Sequence, residues 1–254
     1  MQRLNTRRLF ILFLSLAAAV FLSALLPVQK VHAESPYRSC NPKDIHPIYW
    51  KATIRGTFDA TIMETHKKTT LRHSQKVIIT SYKYKGMNTI KLASGKHCRV
   101  HSSRLNVYEP ACTPGDFTKA TKTAFVNSRT LKSKTKWLIW VSTDRQSFNI
   151  FRGSNKHWVF YRKYDCSTGM ANFATPLGRR TIRRKIRSYY SEEFESWLNY
   201  FLEFGGSGIH VWPGPHVGQY IGKEPCSHAC IRLRREAAIW VYKHIPVNTL
   251  LYVH

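Results

Sequence analysis

Acidic side chains are scarce in this chain of 254 residues, where 14 Asp and Glu stand against 40 Lys and Arg for a formal net charge of +26. Such a balance excludes a surface that gathers cationic partners by charge and turns the molecule toward anions. Other absences narrow the field further. The first 33 residues contain no acid and no cysteine. Cys40 lies far from the apolar run near the start and has no small residues ahead of it, which excludes a lipid-modified N-terminus. Between Asp44 and Tyr108 no helical stripe of useful length occurs, which excludes a helical module there. Cys226, His228 and Cys230 are spaced C-x-H-x-C, and His210 and His216 lie upstream. Neither spacing is a common zinc frame, so a metal site is disfavoured and no cofactor is expected.

What is present begins with Arg3, Arg7 and Arg8 ahead of an apolar run from Leu9 to Leu26, closed by Val31-His32-Ala33. This reads as a secretory signal over residues 1–33 with cleavage after Ala33. The run is long, so an uncleaved membrane anchor is the alternative. Export places the protein outside the cytoplasm. Loss of residues 1–33 removes four basic residues and leaves a charge of +22. In that compartment the available anions are carboxylated wall peptides, anionic wall polymers and lipid headgroups, and nucleic acid falls away as a partner. The simpler alternative is that the charge only confers solubility and loose surface retention.

All six cysteines (Cys40, Cys98, Cys112, Cys166, Cys226 and Cys230) lie beyond the signal, where disulfides can form. If Cys230 is a free thiol, at least one of the other five also stays unpaired. The simplest arrangement has two bridges, one joining two of Cys40, Cys98 and Cys112, the other joining Cys166 to Cys226.

From Asp44 to Tyr108 the sequence reads as short strands and turns. Lys76-Val-Ile-Ile-Thr-Ser-Tyr is β-branched and aromatic, Lys85-Gly86 breaks it, Thr89-Ile-Lys-Leu alternates, and Ser94-Gly95 turns the chain into His97-Cys-Arg-Val-His. A small all-β barrel suits the pattern. Residues 109–136, with Pro110, Pro114-Gly115 and a Thr/Lys/Ser-rich run, read as a linker. From Trp137 a meander follows: Leu138–Ser142, Phe148–Arg152 and His157–Tyr164 as strands, with turns at Asp144–Ser147 and Gly153–Asn155. Arg179–Arg187 reads as a strand with Ile182 and Ile186 inward. Its basic face is either solvated or a rim that attracts an acidic substrate. Ser191–Phe204 fits a helix or a strand. Leu233, Ala237, Trp240, Val241 and His244 fall on one helical face ending before Pro246, and Leu250–Val253 closes as a strand.

The chemistry concentrates between Gly208 and Leu233. His210 precedes a Gly/Pro-rich loop, and Ser227-His228-Ala229-Cys230-Ile231-Arg232 follows. A thiol nucleophile needs a base for its proton and backbone N–H groups for the developing oxyanion. A His from a strand and a Cys on a tight turn just before a helix could supply all three. His216 and His228 compete with His210 for the role of base, and a buried structural role is the alternative for Cys230.

Taken in order, Ser167-Thr168-Gly169, Thr175-Pro176-Leu177-Gly178, Ile209-His210 and Ser227-His228-x-Cys230-Ile231-Arg232 resemble the L,D-transpeptidase (YkuD-type) catalytic domain of bacterial cell-wall enzymes. The resemblance covers about Trp137 to His254. Residues Leu71 to Val107, notably Lys91-Leu92, Ser94-Gly95-Lys96 and Val100–Leu105, resemble a bacterial SH3-like domain, except that Cys98-Arg99 replaces the usual Gly-Trp. Together these imply a mainly β protein. A small SH3-like barrel over 34–108 and a linker over 109–136 lead to a β-rich catalytic domain with one or two helices over 137–254. The resemblance favours a strand from Trp197 to Phe204. It implies that Cys230 attacks a peptidoglycan stem peptide after its third residue and that His210, oriented by the carbonyl of Val211, takes the proton. Amides near Ser227, His228, Ala229 and Cys230 would hold the oxyanion, and Arg232 would support the turn and substrate. The acyl group would pass to an amine or to water. Ala229 stands where the family usually has Gly; if φ is positive there, about 1 kcal/mol is lost and turnover is put at risk. A wall-binding protein that keeps the fold without the activity is the alternative of another class.

Overall fold

The computed structural model describes residues 37–215 and 217–254, so the signal and the alternative anchor read at residues 1–33 lie outside the described residues, as does His216. The described chain is mainly β, as expected. Strands Tyr49–Ile54, Lys76–Ser81, Met87–Lys91, His97–His101 and Leu105–Ala111 form a five-stranded antiparallel sheet. The hairpin of Phe58–Thr61 and Lys68–Leu71 lies beside it. Inward residues alternate along each strand: Trp50, Ala52 and Ile54 on one, Val77 and Ile79 on the next. With Leu71, Ile90, Cys98 and Val100 they form a core of their own.

A second, nine-stranded sheet carries the C-terminal half. The meander Trp137–Ser142, Ser147–Ser154 and His157–Ser167 is antiparallel, and Leu250–Val253 returns to run parallel to its first strand. On the far side of His157–Ser167 follow Ile231–Leu233, Ser207–Val211, Ser196–Phe204 and Arg184–Ser191. The ambiguous segment is thus a strand. Helix Arg235–His244 ends before Pro246 and buries Ala237, Ala238 and Val241 in the sheet's core. Leu233, assigned to that helical face, lies instead at the end of a strand.

Two expectations change. Residues 109–136 are not a linker: they hold strand pairing at Asp116–Phe117 and a helix, Lys119–Asn127, capped by the Thr118 hydroxyl. Phe125, Val126 and Leu131 pack against Leu138, Trp140, Phe151 and Trp158. Asn127 hydrogen-bonds the backbone of Trp158 at 2.8 and 2.9 Å, and the Trp158 indole donates to the carbonyl of Leu131 at 3.0 Å. A nine-residue helix with two large apolar side chains is too short to print a period on the sequence. Arg179–Arg187 is not one strand either. Gly178–Thr181 and Arg184–Ser191 pair at opposite ends of the sheet, so Ile182 is buried at the crossover while Ile186 is only half-buried.

Tertiary contacts connect the two sheets. Ile48 N–H donates to Thr143 Oγ1 at 2.9 Å, Thr113 donates twice to Asp144 Oδ1, and the Tyr82 hydroxyl donates to Asn172 Oδ1 at 2.8 Å.

Candidate active site

Strands Ser207–Val211 and Ile231–Leu233 run parallel, with Ile209 opposite Ile231 and His210 opposite Arg232. Ile209 and Ile231 face the core, and alternation sends His210 and Arg232 to the other face. Gly208 and Cys230 precede them by one pleat. Cys230 therefore sits on the turn entering a strand, and the helix expected directly after it begins only at Arg235. Glycine at 208 is required by contact: a Cβ there would lie 2.0 Å from the Phe201 ring.

Burial pushes the Cys230 thiol above its ordinary pKa, against the Gly208 backbone hydrogen bond and the Arg232 charge, which lower it. His210 is 2% exposed, and its Nδ1 lies 2.7 Å from the carbonyl oxygen of Val211. Nδ1 donates there, because a carbonyl can only accept, which assigns the lone pair to Nε2. Burial lowers the His210 pKa to about 4, helped by Arg232 and opposed by the Val211 hydrogen bond. At neutral pH thiol and imidazole are thus both uncharged. Chemically these are a weakly acidic thiol and an oriented, neutral imidazole, carried at the ends of two paired strands.

The turn ahead of Cys230 is held from several sides. The amides of Cys226 and Ser227 both donate to the carbonyl of Thr168 at 3.0 Å, and Met170 N–H donates to that of Ser227 at 2.9 Å. Ser227 is fully buried and its hydroxyl donates to the Cys230 carbonyl, so it braces the turn from within. Arg232 Nη1 donates to the Cys226 carbonyl at 3.2 Å, and its guanidinium lies 5.0 Å from the Trp212 ring. Thr175 Oγ1 accepts from Gly169 N–H at 2.8 Å and donates to the Ala229 carbonyl at 2.9 Å. The S-T-G and T-P-x-G segments, read from their order alone, are thus the struts of this turn. For the amides of His228 and Ala229 no acceptor is found among the described residues, which leaves them as candidate oxyanion donors.

Ala229 has φ +77°, in the left-handed region. Replacing Ala229 with Gly is expected to stabilise the protein by about 1 kcal/mol. That would raise the thermal midpoint by about 2–4 °C for a domain of this size. An unchanged or lower midpoint in a thermal melt would show that the turn holds no such strain.

Cys230 and His228 line a cleft of about 410 Å³ with Tyr189, Phe194, Phe201 and Arg184. His210 does not line it and lies beneath, its ring 6.3 Å from that of Phe201. The His228 ring lies between two phenyl groups, 4.5 Å from Phe173 and 5.0 Å from Phe194. Nothing in the sequence marked these two, which come from different loops. Of the basic run 179–187, Arg184 alone lines this cleft, where it is ion-paired with Glu203; Arg179 and Arg180 bond backbone carbonyls of Thr130 and Leu177.

All six cysteines are free thiols. The expected Cys166–Cys226 bridge is not formed: Cys226 Sγ lies 3.2 Å from Ser167 Oγ, and Cys166, one residue earlier on that strand, points to the opposite face and into the core. Neither is there a bridge among Cys40, Cys98 and Cys112. Cys98 is fully buried in the core of the five-stranded sheet, away from the other two.

The chain is similar to known proteins over its C-terminal half. Residues 136–253 match the family model of the L,D-transpeptidase catalytic domain. A curated relative, "Probable L,D-transpeptidase 3" of Mycobacterium tuberculosis, is 27% identical over 94 residues, 32% of this chain and 35% of that protein. The chain thus matches about a third of the relative's length. A crystal structure of an L,D-transpeptidase from Stackebrandtia nassauensis is 22% identical, with 56% of this chain and 69% of that one covered and a TM-score of 0.42. An L,D-transpeptidase from Mycobacterium smegmatis is 15% identical, with 78% and 77% covered and a TM-score of 0.41.

Proposed function

We propose that this chain, whose residues 136–253 match the L,D-transpeptidase catalytic-domain model, is an exported, cysteine-dependent L,D-transpeptidase acting on peptidoglycan stem peptides. The observation that carries the reading is the placement of His210, tied through Nδ1 to the Val211 carbonyl, opposite Arg232 on the parallel strand that Cys230 leads into. Cys230 Sγ attacks the carbonyl carbon after the third residue of a stem, and its proton passes to His210 Nε2. The oxyanion is held by the backbone amides of the 228–230 turn. The C–N bond breaks, the terminal D-amino acid leaves with the proton from His210, and a thioester remains. The amine of a second stem then attacks the thioester and releases the thiol; water in its place gives a carboxypeptidase. No cofactor takes part. The basic surface is suited to carboxylated stems and anionic wall polymers.

Incubation with a carbapenem, followed by whole-protein mass spectrometry, tests this reading. One covalent adduct is expected on the reduced protein and none on Cys230→Ala. An adduct that persists in the variant, or none on the folded wild type, rejects Cys230 as the nucleophile. Ala229 with its positive φ favours one rival, a wall-binding protein without turnover. It would sediment with purified wall in a salt-sensitive way and release no D-alanine from tetrapeptide stems.

A further inference from the structure

A second cavity, of about 450 Å³, lies between the five-stranded sheet and the segment 168–177 that braces the catalytic turn. It is set apart by its chemistry. In a chain with 40 Lys and Arg, not one of the residues lining it is charged. The catalytic cleft, by contrast, presents Arg184, Glu193 and Glu203. The aromatic residues Trp50, Tyr82 and Tyr84 line the second cavity, together with Thr80, Ser81 and Asn172. Asn172 Oδ1 accepts from the Tyr82 hydroxyl, and its Nδ2 makes no hydrogen bond among the described residues. Tyr84 is 53% exposed although it lines a concavity.

A ligand matched to such a site carries no charge, presents apolar C–H faces to aromatic rings, and offers hydroxyls and carbonyls to amide and hydroxyl groups. A stem peptide, with its free carboxylates, does not fit that description; a neutral sugar does. We propose that this cavity is a binding site for an uncharged N-acetylated sugar ring, separate from the peptide cleft. The proposal rests on the reading above only for where the sugar comes from, the glycan that bears the stem. The two cavities adjoin. Phe173 lines both, and Ala229 lines the sugar cavity while its neighbours His228 and Cys230 line the cleft. A glycan seated here would rest against the back of the turn that carries the nucleophile.

The probe is the soluble N-acetylglucosamine tetramer, titrated calorimetrically into the full chain. Saturable binding is expected, unchanged from about 50 to about 500 mM salt because no ion pair is formed. Tyr84→Ala is expected to weaken it about tenfold and Asn172→Ala about as much, while Tyr84→Phe retains it. Carbapenem adduct formation at Cys230 is read on the same samples and stays at the wild-type level in Tyr84→Ala and Tyr84→Phe. Absence of saturable binding, binding that falls away with salt, or binding untouched by Tyr84→Ala and Asn172→Ala overturns the site. If the sugar binds and no adduct forms, the enzymatic reading fails and the sugar site stands; an adduct without sugar binding gives the reverse.

Discussion

Replacing His210 with Ala is expected to slow acylation of Cys230 by about 10²- to 10⁴-fold, the usual contribution of a positioned general base. The resting state makes the loss large. With the thiol above its ordinary pKa and the imidazole near 4, almost no thiolate exists at neutral pH without proton transfer during attack. The pH profile separates a base from a merely structural histidine. Wild-type acylation is expected to stay level from about pH 8 down to about pH 5 and to fall as His210 takes up a proton near its pKa of about 4. In His210→Ala the residual rate depends on free thiolate and rises about tenfold per pH unit across the same range. A variant with the wild-type rate and a level profile would move the base to another group.

Gly169→Ala is expected to be the most damaging change outside His210 and Cys230. The new Cβ would lie 2.0 Å from the carbonyl oxygen of Phe173, 2.6 Å from the amide nitrogen of Thr175 and 2.9 Å from the Cα of Ala229. All three are backbone atoms, so no side chain can rotate out of the way. Overpacking of this kind costs about 1–3 kcal/mol or more. Here the displaced atoms belong to the turn whose amides are the proposed oxyanion donors. A shift of about 1 Å there is expected to reduce acylation about 100-fold. Adduct kinetics by mass spectrometry, with a thermal melt on the same sample, measure both effects. Wild-type kinetics in Gly169→Ala would show that the turn is positioned without this contact.

Much of the fold was legible because its strands are short, alternating and punctuated. Trp137–Ser142 and Ser147–Ser154 announce themselves through runs such as Leu138-Ile-Trp-Val, with turn residues between. Ser196–Phe204 was not legible from period alone, since Phe201 and Leu202 are both buried and Tyr200 at φ +55° interrupts the alternation. The helix Lys119–Asn127 escaped because its signal is a Thr cap and two buried side chains inside a Thr- and Lys-rich stretch.

The sequence by itself determined the order of His210, Ser227 and Cys230 and their attachment to strand and turn, since these are local facts of spacing. Only the tertiary structure decided how they are held. Burial lowers the His210 pKa to about 4, Thr175 reaches Ala229 across fifty-four residues, and Phe173 and Phe194 meet at His228 from separate loops. The cysteines went the same way: composition allowed Cys166 to pair with Cys226, and strand alternation turned them apart. Proton affinity, cross-chain struts and thiol pairing depend on which distant groups share a face, and no one-dimensional pattern carries that.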